Sequence, residues 1–361
     1  MSTPMPETEE QRAETAKARQ SSAGPASAPP EVVLTQIMLG SLASQVLYVP
    51  AKLGIADLLA DGPKPVEELA TATDTHAPSL YRILRAAASL GVFVEQEDRV
   101  FSLNANAEPL RSNAPNSLRD IMIFMGEDWH WEVWGKTLYS VRTGKSAWAQ
   151  IHGDDVFAYF KTNPEALAIF NNAMTSLSAL STHAVVEGYD FTGIKMLIDI
   201  AGGHGRLLTA ILEANPSIQG VLFDMPHVIE GARENVAATN AADRVEFASG
   251  DFFASVPAGG DAYIMKHIIH DWDAERALTI LRNIKQAMNP GGRVLLVESV
   301  IADGNAQDFG KLMDIEMLVS PGGKERTAAE YEELFARAGF RMTRIVPTKS
   351  AYSVIEAVTA D

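Results

Sequence analysis

The chain has 361 residues, a formal net charge of −16 and no cysteine. The length allows two domains and a large core, whereas the acidic balance argues against a nucleic-acid or anionic-membrane partner, which needs clustered Lys and Arg. Missing thiols exclude disulfides, thiolate metal sites and a cysteine nucleophile. Residues 1–31 are polar, rich in Ala, Ser and Pro and without an apolar signal-peptide core, so they read as a disordered tail. No apolar run is expected to reach the ~20 residues of a membrane span, which makes a cytoplasmic protein the expectation.

From Val32 to Leu59 the pattern is helical and strongly apolar, with Leu34, Ile37, Met38, Leu42, Val46, Leu47, Leu53 and Leu58 recurring at helical spacing. So wide an apolar face suits burial against a second copy of the chain; an ordinary core helix pair is the alternative. Pro65–Ala72 and Pro78–Leu90 read as helices, and 92–94 with 100–103 as a hairpin across Glu97-Asp98. Helix, helix, hairpin is the winged-helix order. Only Arg82 and Arg85 would offer base to DNA there, so a dimerisation or lid domain over 32–115 is the better reading. Residues 116–186 read as a helical linker and pocket region. It carries four of the five tryptophans, among them Trp129 and Trp131, and Phe124, Trp129 and Trp131 either line an aromatic pocket or fill a domain joint. Phe157–Met174 is expected as one further helix, with Phe170 and Met174 on one side.

Residues 187–361 alternate strand and helix, the signature of a parallel doubly wound sheet. Met196–Ile200 is a buried strand, Gly202, Gly203 and Gly205 follow at once, and Leu207, Leu208, Ile211 and Leu212 then repeat at helical spacing. Strand, glycine turn and helix bring bare backbone and a helix N-terminus to a ligand, although the same glycines can serve a purely structural turn. Leu208 stands where a third dinucleotide-site glycine would be, and Asp199 would repel a pyrophosphate. A phosphate-free, cationic nucleoside such as S-adenosyl-L-methionine suits the loop better. Asp224, at the end of the next strand, has the position for accepting ribose hydroxyls. Asp251 and Phe252 after the third strand suit an adenine, one accepting from the amine and the other packing on the base.

Four motifs in one order then carry a resemblance: Asp199-Ile-Ala-Gly-Gly-His-Gly, Gly250-Asp-Phe-Phe, His270-Asp-Trp and Pro321-Gly-Gly-Lys-Glu-Arg-Thr. Over roughly Val32 to the C-terminus, the chain resembles the S-adenosylmethionine-dependent small-molecule O-methyltransferases of the caffeic acid and hydroxyindole type. The resemblance implies an α/β fold, a Rossmann-like class I methyltransferase sheet, with an N-terminal helical winged-helix dimerisation domain, hence a homodimer acting on a small-molecule acceptor. It implies His270 as general base flanked by Glu298 and Glu325. It also implies Gly202, Asp224, Asp251, Phe252 and Lys266 as cofactor contacts, with Asp199 and Met225 beside them. Phe170 and Met174 resemble acceptor-pocket positions, and Trp272 is assigned to the same side. His204 stands where the pattern usually has another glycine.

The chemistry supports His270 without the resemblance. A phenol with pKa ~10 is a poor nucleophile at neutral pH, and a histidine titrates near the working range. Carboxylates beside it would fix its tautomer and stabilise its cation. His204, His227 and His267 lack comparable neighbours and read as structural. No metal is expected. Two other classes remain open at this stage: a nicotinamide dehydrogenase, and a relative that binds the same cofactor but hydroxylates or assists decarboxylation.

Overall fold

The structure, a computed structural model, describes residues 28–360. The expected tail therefore lies outside the described residues up to position 27. Its last two residues, Pro30 and Glu31, are already helical.

The first helix, α1, runs Pro30–Lys52, with proline at its start, where the missing N–H is no loss. The short α2 (Ile55–Leu58) follows, then β1 (Lys64–Pro65), α3 (Val66–Ala72), α4 (Ala77–Ser89), β2 (Val94–Glu95) and β3 (Val100–Ser102). Val100–Ser102 is the centre strand of a small antiparallel sheet, with Lys64–Pro65 on one side and the hairpin partner Val94–Glu95 on the other. Ile55, Leu69, Leu84 and Phe101 are fully buried at the centre of this unit. The outer part of α1 is different: Leu34, Ile37, Met38 and Leu42 are 62–71% exposed. Between Glu31 and Lys52 the helix carries no charge, so 23 residues are long and apolar enough to cross a membrane. That overturns the expectation that no run approaches such a length.

Between this unit and the large sheet lies a helical region: α5 (Arg119–Gly126), α6 (Asp128–Trp134), α7 (Thr137–Thr143), α8 (Trp148–His152), α9 (Val156–Thr162) and α10 (Pro164–Gly188). The expected single helix Phe157–Met174 is two, because Pro164 cannot continue a preceding helix and instead starts a 25-residue one. Helix α5 packs closely on α1, where a side chain at Gly126 would run into the Tyr48 ring.

The C-terminal half contains β4 (Met196–Ile200), α11 (Arg206–Ala214), β5 (Gln219–Asp224), α12 (Pro226–Ala237), β6 (Val245–Ser249), β7 (Ala262–Lys266), α13 (Ala274–Ala287) and β8 (Arg293–Glu298). After it come β9 (Val300–Ile301), α14 (Phe309–Val319), β10 (Arg326–Thr327), α15 (Ala328–Ala338), β11 (Phe340–Pro347) and β12 (Ser353–Thr359). Its seven-stranded sheet has the order β11-β12-β8-β7-β4-β5-β6. Strands β4 to β8 pair in parallel, and β12 joins β8 and β11 in antiparallel fashion. Leu197, Ile198, Leu222, Tyr263, Ile264, Leu295 and Leu296 are 0% exposed, as continuous apolar strands covered on both faces must be. One core cluster forms on each face. The order reverses between β4 and β7, and it is outside the carboxyl ends of the strands at such a reversal that these sheets usually form their ligand crevice. Helices α14 and α15 were not anticipated. The second begins with a reciprocal Thr327–Glu330 capping box.

Candidate active site

Two sets of side chains converge at that crevice. On one side, β4 delivers Asp199 and the chain turns at once through Ala201, Gly202, Gly203 and Gly205. Gly203 and Gly205 have φ of +59° and +80°, which only glycine adopts freely. At Gly202 the constraint is space, because an added Cβ would lie 2.5 Å from both Asp199 Oδ2 and Leu222 Cδ1. Asp199 is buried, and its Oδ2 has no hydrogen-bond partner. Burial pushes its carboxyl up to about 7, although the Lys266 charge opposes the rise. Burial likewise brings Lys266 down to about 8, against the pull of Asp199. Its ammonium donates to Ser178 and, at 3.4 Å, to Thr182 on α10. Asp224 accepts from the backbone N–H of Gly203 at 2.9 Å and of Met225 at 2.7 Å. Asp251 is exposed and accepts from Phe253 N–H, while Phe252 is half-buried and Met225 is 41% exposed. A buried, unpartnered carboxylate oxygen, a glycine cradle and a second carboxylate at the next strand end fit a cationic nucleoside without phosphates. His204 and His227 are exposed but stand near Asp224, where their charge opposes the rise that burial imposes on its carboxyl.

On the other side stands His270, in a one-turn helix after β7. Its Nδ1 lies 2.7 Å from Glu325 Oε1 and 3.6 Å from Glu298 Oε2, and its Nε2 lies 3.6 Å from Asp271 Oδ1. Glu298 ends β8 fully buried, and its Oε1 accepts from the N–H groups of Ile268 and Ile269, so it holds the histidine's own turn. Burial pulls the imidazole down, but Glu298, Asp271 and Glu325 together outweigh it and push it up to about 10. Burial raises Glu298 to about 7 and Asp271 to about 6, with the His270 charge working against both shifts. Sequence reasoning named Glu298 and Glu325 but passed over Asp271, which stood in plain view within the His-Asp-Trp motif. His267 lies nearby, its ring 5.6 Å from that of His270 and 4.1 Å from that of Tyr352.

The backbone beneath this group is clamped. Lys324 N–H donates to the His270 carbonyl at 2.7 Å, and the buried Arg326 guanidinium donates to the carbonyls of Ile269 and Trp272, both at 3.1 Å. Gly323 must be glycine, because a Cβ would collide with the backbone of His270 and Asp271.

His270, Glu298 and Glu325 each place one ligand-type atom within 4.8 Å of the others. The 2.7 Å Nδ1–Oε1 distance is closed by a hydrogen bond. Two ligands of one ion at ~2.0–2.1 Å each would stand further apart.

Of the expected acceptor-side residues, Phe124, Trp129 and Phe170 come together. Phe124 lies 5.6 Å from Trp129 and 5.8 Å from Phe170, ring to ring. Met174 follows Phe170 by one turn of α10 and is half-buried. Trp272 is grouped instead with Phe253 and Phe252, and it stacks on Phe157 at 5.4 Å. Trp131 does not join them. It is 37% exposed, because two residues on a helix are separated by about 200°, so Trp129 and Trp131 face opposite ways. A separate surface cleft of about 350 Å³, lined by Asp273, Lys324, Glu330 and Arg337 among others, already has Lys324 paired with Glu330 and Arg337 with Glu275. In the crevice, by contrast, Asp199 Oδ2, Glu298 Oε2 and Glu325 Oε2 are buried without a partner.

Comparison with known proteins places the chain in a family. The O-methyltransferase domain matches residues 134–341 and the O-methyltransferase dimerisation domain residues 35–112. A phenazine O-methyltransferase, PhzM, from Lysobacter antibioticus is 45% identical over 91% of this chain and 96% of its own. A phenazine-1-carboxylate N-methyltransferase from Pseudomonas aeruginosa is 32% identical over 91% and 97%. The crystal structure of LaPhzM superposes with a TM-score of 0.88 at 45% identity, covering 92% of this chain and 99% of that one. Human N-acetylserotonin methyltransferase, solved with S-adenosylmethionine, gives 0.84 at 25% identity over 94% and 100%. The chain belongs to this O-methyltransferase family, whose members bear a dimerisation domain, and S-adenosylmethionine is its cofactor. Its relatives methylate small aromatic or natural-product molecules, at oxygen in some and at nitrogen in others.

Proposed function

We propose that this protein transfers a methyl group to a hydroxyl of a small aromatic or polyketide-like acceptor, with His270 as general base. The observation that carries the reading is the His270 environment: Nδ1 held by Glu325 at 2.7 Å, three carboxylates within 3.6 Å and Nε2 on the opposite side of the ring. When bound, the cofactor supplies an electrophilic methyl on a positively charged sulfur. Everything else falls to the protein. Glu325 accepts the Nδ1 proton and fixes the tautomer that leaves Nε2 free to take a proton. Glu298 and Asp271 supply the negative charge that stabilises the resulting imidazolium. Pushed up by Glu298, Asp271 and Glu325, the imidazole is a stronger base than a free histidine, which narrows its gap to a phenol of pKa ~10. Asp199, Asp224, Asp251, Phe252 and Lys266 would bind the cofactor, with Met225 at its edge. Phe124, Trp129, Phe170 and Met174 would form the acceptor wall, and Trp272 would close the cofactor side.

Methylation at nitrogen is the competing reading, given the Pseudomonas relative. An amine nucleophile carries a lone pair and requires no strong base before attack, so a base this strongly supported favours oxygen. Incubation with labelled S-adenosylmethionine and a matched panel of phenols and anilines tests the choice. Labelled product from anilines alone would overturn it. Two copies would assemble through α1, whose exposed Leu34, Ile37, Met38 and Leu42 lie within or next to the dimerisation-domain match. Light scattering reporting a monomer at micromolar concentration would count against this.

A further inference from the structure

The strongest unexplained group lies one ring away from the acceptor wall. His130 is 0% exposed, and its Nε2 meets Glu316 Oε1 at 3.0 Å, across 186 positions of sequence. Trp134 Nε1 donates to the other Glu316 oxygen at 2.5 Å. Burial alone would raise the Glu316 carboxyl, but His130, Trp134 and Ser320 together hold it below the usual carboxylate range, so it is ionised. An ionised carboxylate only accepts, which places a ring proton on Nε2; a second N–H at Nδ1 would be buried with no acceptor to meet it, so the geometry assigns that atom the lone pair. Nδ1 is buried with no hydrogen-bond partner. A histidine that only stitched α6 to α14 would need Nε2 alone. A second nitrogen, desolvated and unmet, is costly to keep without a use. The ring lies 4.5 Å from Phe124, which in turn meets Phe170.

We propose that the His130–Glu316 pair is a specificity determinant: His130 Nδ1 accepts a hydrogen bond from a hydroxyl or ring N–H that the acceptor carries away from the atom being methylated. The proposal rests on the acceptor wall assigned above. It selects acceptors with a second polar substituent over plain phenols, because a site built to meet a donor discriminates strongly against a molecule without one. The same helix also serves the base, since Asp314 accepts from Glu325 N–H at 3.0 Å.

The test uses 1-naphthol, the positional isomers of dihydroxynaphthalene and their monomethyl ethers. Calorimetric binding to protein loaded with S-adenosylhomocysteine is measured alongside methyl transfer. In the wild type, at least one diol should exceed 1-naphthol by roughly 5- to 100-fold in affinity, and capping its remote hydroxyl as the ether should remove the gain. His130→Phe should bring diol and naphthol within about twofold of one another. Glu316→Gln guards against a variant that fails to fold. Trp134 can only donate, so it takes the new carbonyl oxygen and the amide N–H faces His130 Nε2, moving the ring proton to Nδ1. The ether, which can only accept, should then bind as well as the diol, a reversal that no merely structural pair would produce. Equal binding of all diols and 1-naphthol in the wild type, a diol preference that survives His130→Phe, or an ether-to-diol ratio unmoved by Glu316→Gln would each overturn the proposal. Selective diol binding without any methylation would instead sink the O-methyltransferase reading and leave this receptor standing.

Discussion

Two buried histidine–glutamate pairs serve this molecule differently. His270 and Glu325 meet at 2.7 Å, His130 and Glu316 at 3.0 Å. Around His270 there are two further carboxylates, and Oε2 of both Glu298 and Glu325 is buried without a partner. Around Glu316 both oxygens are met by donors. Negative charge in excess makes the first imidazole strongly basic, while the balanced second pair fixes a tautomer. In the roles proposed above, the same two residue types serve as a proton acceptor or a hydrogen-bond reader according to how many charges and donors are buried with them.

The widest separation of the two pairs is expected from His270→Ala. It should lower kcat by about 10²–10⁴, leave cofactor affinity by calorimetry nearly unchanged, and recover much of the rate with a more acidic phenol. Near-normal turnover with an ordinary phenol would erase the distinction. Next in size is a control on the cofactor side: Asp224→Ala should weaken S-adenosylmethionine by ~1–3 kcal/mol, measured by the same titration, without altering the preference among acceptors. The third test is pH. A base pushed up to about 10 is protonated at neutral pH and must lose that proton to act. kcat/KM should therefore climb on going from neutral to alkaline pH, by at most about tenfold per unit. A flat profile would show that another group limits the rate.

A smaller effect contrasts Glu316 with Asp199, both buried carboxylates. Asp199 is buried with its Oδ2 unmet and is raised from 3.8 to about 7, so its contribution to stability is fully present below its ordinary pKa and is lost as pH rises through about 7. Asp199→Asn should accordingly stabilise the cofactor-free protein at pH 8, by up to on the order of 2–4 kcal/mol, with the difference fading toward pH ~4 in urea titrations. It should also weaken cofactor binding. The smallest expected effect is none. With the His270–Glu325 contact closed by a hydrogen bond, activity should survive exhaustive chelation, and magnesium-dependent recovery after EDTA would contradict that.

The chain itself determined most of the element order and the motifs that mark the family. A buried parallel strand must be continuously apolar, a tight loop at a ligand must be glycine, and both are local requirements legible in 196–215. Some local signals were open to reading but were missed: Pro164 breaking a helix, the uncharged run of α1, and Asp271 inside its own motif. What only the tertiary structure decided is proximity. Glu298 and Glu325 reach His270 across 28 and 55 residues, and Glu316 reaches His130 across 186, because separate elements converge at the crevice and at the seam between α6 and α14. Whether Trp129 or Trp131 turns inward depends on which face of α6 meets α8 and α9. Burial, partner count and pKa all follow from such convergence, since they depend on what surrounds a side chain rather than on which residues precede it.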